Sequence, residues 1–186
     1  MAVRNTAIEW GSLARALHWL VAVGIVALVA LGLTQAGLER GPERSELRMV
    51  HSSIALVVLA LMTLRVIWRW MNETPLHSAG FAAWQKLTAA VVHWGLYVVV
   101  FVQLISGVMT VATTGNGLPF FGIFSIPLPV GKDEDAHHFW EEIHEFAWRV
   151  IAVLLVVHVV GALYNHFVLK NDVLRRMTSG VKIAND

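Results

Sequence analysis

Nine histidines stand in a chain of 186 residues that has no cysteine. His144 and His158 are 14 positions apart, and this interval is the most informative one in the sequence. On an α-helix it covers about 21 Å and turns about 1400°, within roughly 40° of four full turns. Two imidazoles therefore face the same way at two heights. Each height has candidate partners on other segments: His51 for His144, and His18 or His93 for His158. Imidazole nitrogen is a ligand for zinc, copper and haem iron. Zinc or copper wants three or four ligands converging on one point. Two pairs at separate depths fit two flat cofactors better, each iron held between two imidazoles. Iron ligated on both faces is closed to dioxygen and suited to electron transfer, with nearby hydrogen bonds tuning its potential. The absence of cysteine excludes iron–sulfur clusters, thiolate metal sites and covalent c-type attachment, so the haem expected here is non-covalent haem b.

The elements that must position these residues are long and apolar. Hydrophobic residues make up 56% of the chain and mean hydropathy is +0.62, too apolar for a water-soluble domain of this length. Four runs are each long enough to cross roughly 30 Å of hydrocarbon. The expected helices cover residues 12–36, 48–71, 82–113 and 137–170. The fold class is thus all-α: one integral membrane, four-helix, up-and-down bundle over residues 1–186, whose core is built by inward-facing side chains. Gly24, Gly32, Gly95, Gly107 and Gly161 lie inside the runs, where small residues permit close approach of a helix or a flat ligand. The long loop 114–137 carries an apolar patch, Phe120–Phe124, expected against the membrane surface or the bundle end. The eight Trp sit mostly near run ends and read as an interfacial aromatic belt. A net charge of +1 gives no basic surface for nucleic acid.

With both termini on one side, that side holds nine Lys and Arg around the helix ends against four on the other. The positive-inside rule then places both termini in the cytoplasm. Arg65 and Arg69 close the second run and are expected to snorkel to the interface. Arg149 lies inside the fourth run and needs an anion, either a haem propionate or Glu145 at i−4. Arg44 and Arg48 precede His51 on the outer side, either drawing an anion such as superoxide or balanced there by Glu43 and Glu46.

Several stretches resemble the bacterial cytochrome b561 family: Arg15-Ala16-Leu17-His18-Trp19-Leu20, Met49-Val50-His51, Ser106-Gly107-Val108-Met109, His144-Glu145, and His158 through Lys170-Asn171-Asp172-Val173-Leu174. The likeness spans about residues 10–177 and is similar to the short di-haem members, some of which are superoxide oxidases. It implies His18 with His158 for the cytoplasmic-side haem, His51 with His144 for the outer one, and His93 as a propionate contact or proton relay. It implies electron transfer between an outer one-electron donor, such as superoxide, and ubiquinone. Where some members carry a histidine near the quinone, seven residues after the second helix-4 ligand, this chain has Asn165, with His166 next to it. Asn165, His166 and His77 are therefore the candidate quinone contacts. The alternative implied by more distant relatives is an electron-carrying or membrane-anchor cytochrome b subunit serving a partner dehydrogenase or hydrogenase. A haem-free histidine metal transporter is the remaining reading from the residues alone.

Overall fold

The structure is a computed structural model that describes residues 2–76 and 81–179. Four long helices account for most of it: α1 Ser12–Ala36, α2 Pro42–Trp70, α3 Ala83–Ala112 and α4 Glu134–Phe167. All four are long and apolar enough to cross a membrane. A small antiparallel hairpin, β1 Leu118–Phe120 and β2 Phe124–Ile126, interrupts the α3–α4 connection, and a short α5, Val173–Met177, follows α4.

Local chemistry extends two helices beyond their apolar runs. α2 starts at Pro42, six residues before the expected 48, because a proline preset for helix stands in its first turn with Glu43 beside the helix N-terminus. α4 starts at Glu134, where the Asp133 side chain accepts a hydrogen bond from Ala136 N at 3.0 Å. These first turns are polar, so they carry no apolar signal.

α1 packs along α2 and α3 along α4, and the two pairs meet mainly through α2 and α3. α4 makes no extended contact with α1 or with α2. At mid-height the pairs are held by an apolar core of Val21, Val58, Met62, Val100, Leu104 and Ile151. Outward side chains such as Val23, Phe146, Val153 and Val160 are more than half exposed. An apolar surface of that extent is stable against lipid rather than water.

The two ends of the bundle differ. At the loop end the hairpin is pinned to α2 by Ser53, fully buried, whose Oγ accepts from Phe121 N at 2.8 Å and donates to Met49 O at 2.7 Å. The turn needs positive φ at Phe121 and Gly122, and Gly122 sits against the Met49 sulfur. At the terminal end α5 is strapped to α1: Trp19 Nε1 donates to Met177 O at 2.9 Å and the buried Arg15 to Thr178 O at 3.3 Å.

Candidate functional site

Two histidine pairs meet across the gaps that α4 leaves. The His51 and His144 ring centroids are 6.4 Å apart near the loop end, joining α2 to α4. Those of His18 and His158 are 6.2 Å apart near the terminal end, joining α1 to α4. Two imidazoles bonded to one metal from opposite sides at roughly 2.0–2.1 Å, with about 1.1 Å from nitrogen to ring centre, hold their centroids about 6.3 Å apart. Both pairs match that span. His93 and His158 are only 5.2 Å apart, about 1 Å too close to hold a metal from opposite sides. Of the two partners that depth alone leaves open for His158, His18 stands at the span of opposed ligands and His93 stands closer. Among the described residues, no three His, Asp or Glu side chains converge as a zinc site requires.

The 14-residue interval of α4 recurs on every helix. α1 places His18 at the terminal level and Gly32 at the loop level; α2 places Arg65 and His51; α3 places His93 and Gly107. At the loop level both glycines border the rings. A Cβ on Gly107 would stand 3.0 Å from His144 Cε1, and one on Gly32 would stand 3.6 Å from His51 Cε1. Between the levels, Ile151 sits seven residues from each α4 histidine within the apolar core.

Hydrogen bonds set the His144 ring. Its Nδ1–H donates to the Gln103 carbonyl at 2.9 Å, and the Gln103 side-chain amide donates to Nε2 at 2.9 Å. Nε2 is therefore the lone-pair nitrogen, the tautomer that a metal ligand needs. Gln103 Oε1 is buried without a hydrogen-bond partner among the described residues. His51 is held less tightly: its buried Nδ1 makes no well-formed hydrogen bond, although it faces the Leu28 carbonyl of α1.

At the terminal level Arg65 turns inward. It donates to His18 Nδ1 at 2.7 Å and to Tyr97 Oη at 3.0 Å. This departs from the snorkelling expected of it; acceptors on α1 and α3 compete successfully with water. Arg69 instead lies over the rings of Trp10, Trp94 and Tyr97 at 5.6–5.9 Å. Sequence reasoning passed over Gln103 and gave Arg65 only an interfacial place, yet Arg65 stands 14 residues from His51, the interval that singled out His144 and His158.

The remaining candidates lie apart from the paired rings or are engaged elsewhere. Arg149 donates to Glu145 Oε1 at 2.7 Å, with both side chains more than half exposed. Of the two anions weighed for it, the structure supplies the helical one. Asn165 donates to Gly161 O at 2.8 Å and accepts from Asn171 Nδ2 at 2.7 Å, so its amide serves the end of α4. His166 packs edge-on against Phe167, and its Nδ1 is buried without a partner among the described residues. His77 lies outside the described residues.

A cleft of about 630 Å³ opens at the loop end, above His144. Arg40, Arg44, Arg48 and Lys132 line it with Thr113, Thr114 and His137. His137, seven residues before His144 on the same face, donates from Nδ1 to the Thr110 carbonyl at 2.9 Å, so Nδ1 carries a proton.

Comparison with known proteins places this arrangement in a family. A family model described as prokaryotic cytochrome b561 matches residues 9–180. Cytochrome b561 homolog 2 of Escherichia coli (strain K12) is 32% identical, covering 95% of this chain and 95% of its own length. Cytochrome b561 homolog 1 of the same strain is 27% identical over 87% of this chain and 92% of its own. The probable superoxide oxidase CybB of Yersinia pestis is 24% identical over 87% of this chain and 90% of its own.

Proposed function

Because the chain belongs to the prokaryotic cytochrome b561 family, a family of haem b-binding membrane cytochromes that transfer electrons, we propose that it holds two haems b and passes electrons from superoxide on the outer side to ubiquinone near the cytoplasmic side. The observation that carries this reading is the pair of imidazole spans, 6.2 Å and 6.4 Å, each across helices that otherwise make no extended contact. The match to a probable superoxide oxidase supports the choice of donor and acceptor.

His51 and His144 would hold the outer haem, His18 and His158 the inner one. Haem b, when bound, supplies a reversible one-electron couple at each level. The protein's own groups do the rest. Gly32 and Gly107 keep side-chain volume away from the outer ligands. The Gln103 carbonyl fixes His144 in the tautomer whose lone pair is on Nε2, and the Gln103 amide would give up its bond to Nε2 when a metal binds there. Ligation by His18 through Nε2 requires the proton on Nδ1, so Arg65 gives up its present bond there. Its charge is then available to a haem carboxylate, which a buried guanidinium needs as a partner. The apolar core around Ile151 excludes water and ions between the levels.

On the outer side, a superoxide anion gives up one electron and leaves as dioxygen. The cations above His144 favour its approach. On the inner side, ubiquinone takes up two electrons and two protons over two such events. The buried, unpartnered Nδ1 of His166 supports a quinone contact there, since a buried polar atom costs stability until it is bonded. The Lys and Arg excess around the terminal ends of the helices supports an inner-membrane orientation with both termini cytoplasmic.

The test is rapid mixing of the purified, oxidised protein with superoxide in the presence of ubiquinone. Haem reduction within milliseconds followed by ubiquinol formation, at one ubiquinol per two superoxide, is expected. Spectra unmoved by superoxide, with turnover only when a dehydrogenase partner is added, would replace this reading with the electron-carrier subunit.

A further inference from the structure

The loop-end cleft is far larger than the donor proposed above. Its volume of about 630 Å³ lies in the range of sites for organic ligands, whereas a water-sized particle occupies about 30 Å³. Its walls carry four cationic side chains, Arg40, Arg44, Arg48 and Lys132, against two acidic ones, Glu134 and Glu141. Of the acids, Glu134 pairs with Lys132 at 2.9 Å, and Glu141 lies toward His138, 3.9 Å from its Nδ1, rather than against a guanidinium. Three guanidinium groups remain without a carboxylate among the described residues. Arg44 is tied only loosely, by a 3.4 Å bond from Nη1 to Leu38 O, and its Nε is buried with no acceptor. A buried guanidinium N–H without an acceptor costs stability, and an oxyanion in the cleft would supply one.

The level of the cleft narrows the ligand class. Arg48 is the last charge before the uncharged run 49–64 of α2, so the cations stand where a bilayer's headgroups begin. Guanidinium forks match the oxygens of phosphate in a way that a point charge does not. The first turn of α2, uncapped by any side chain at Gly41, adds N–H groups and the positive end of its dipole to the same wall.

We propose that this cleft is a binding site for a phosphate oxyanion, presented by a phospholipid headgroup or as free inorganic phosphate. The binding stands apart from the superoxide reading, because it needs only the cations and the cavity. Its consequence for that reading is competition, since an occupied cleft covers the approach along the α4 face to His144.

The experiment uses the haem-loaded protein in nanodiscs of phosphatidylcholine, alone or with phosphatidylglycerol, at constant ionic strength. Binding is read by calorimetric titration with inorganic phosphate against chloride, and retained lipid by native mass spectrometry. Saturable phosphate binding that R44Q and R40Q/R48Q weaken at least tenfold, while R44K weakens less and R149Q not at all, is expected if the free ion is the ligand. Phosphatidylglycerol carried through delipidation by the wild type and lost from R44Q identifies the headgroup instead. A haem spectrum unchanged in each variant shows that the bundle is intact. The proposal is overturned if wild type neither titrates with phosphate nor retains the anionic lipid, or if R44Q and R40Q/R48Q do both as wild type does. Because none of these readouts requires turnover, failure here is distinguishable from failure of the superoxide reading.

Discussion

Gly107 offers the sharpest perturbation of the outer site. A Cβ at this position would lie 3.0 Å from His144 Cε1 and 3.2 Å from Nδ1. Carbon atoms settle at about 3.5–4.0 Å, so Gly107→Ala must push the imidazole by about 0.5 Å. Metal–ligand bonds hold to within about 0.2 Å, so the ring cannot absorb that shift and keep its bond unless α3 or α4 moves. Overpacking of this kind costs about 1–3 kcal/mol, which lowers outer-haem affinity roughly 5- to 150-fold. Gly107→Val adds two methyls to the same ring face and is expected to remove the outer haem. Gly32 is the internal control. Its Cβ would stand 3.6 Å from His51 Cε1, an ordinary contact, so Gly32→Ala leaves both haems in place. The assay is haem per chain by pyridine haemochrome, together with the low-spin electron paramagnetic resonance spectrum. Gly107→Val with two unperturbed low-spin haems, or Gly32→Ala losing as much haem as Gly107→Ala, would refute the reasoning.

Three further outcomes follow from the same geometry. His18→Ala abolishes the inner haem, whereas His93→Ala keeps it with a shifted spectrum, because the 5.2 Å spacing of His93 from His158 is too short for ligands on opposite sides of one iron; haem counting on both variants decides it. Arg65→Gln removes a cation that stands beside His18 and lowers the inner potential by on the order of 1 kcal/mol, or about 40 mV for one electron, with the outer potential unmoved in a redox titration. Ser53→Ala removes the buried hydroxyl that accepts from Phe121 N–H, costing about 1–3 kcal/mol; the unfolding midpoint falls by roughly 2–10 °C and protease cuts the hairpin faster.

How much of this was legible in the sequence varied with the range of the interactions involved. The four spans follow from runs of apolar residues, because hydrocarbon thickness imposes a length that composition alone reveals. The first turns of α2 and α4 escaped that signal, being polar turns held by Pro42 and by the Asp133 cap. That His144 and His158 share a face is helix arithmetic and needs no tertiary knowledge. Arg65 is different: its acceptors, His18 and Tyr97, come from two other helices, so burial and partner choice depend on packing that no local pattern encodes. Arg149 illustrates the converse, since its partner Glu145 is one helical turn away and visible in the sequence. The hairpin of 118–126 and the basic cleft were hardest to read. The first is anchored from α2 by one serine, and the second is assembled from the first turns of α2 and α4 together with the α1–α2, α3–β1 and β2–α4 connections.

The number of haems b bound by the purified chain, counted alongside the four single ligand variants, tests the central claim most directly. Two low-spin haems in the wild type, one in each of His18→Ala, His158→Ala, His51→Ala and His144→Ala, and none in His51→Ala combined with His18→Ala are the expected results. A single haem in the wild type, or a full pair surviving the loss of His51 or His144, would contradict the account.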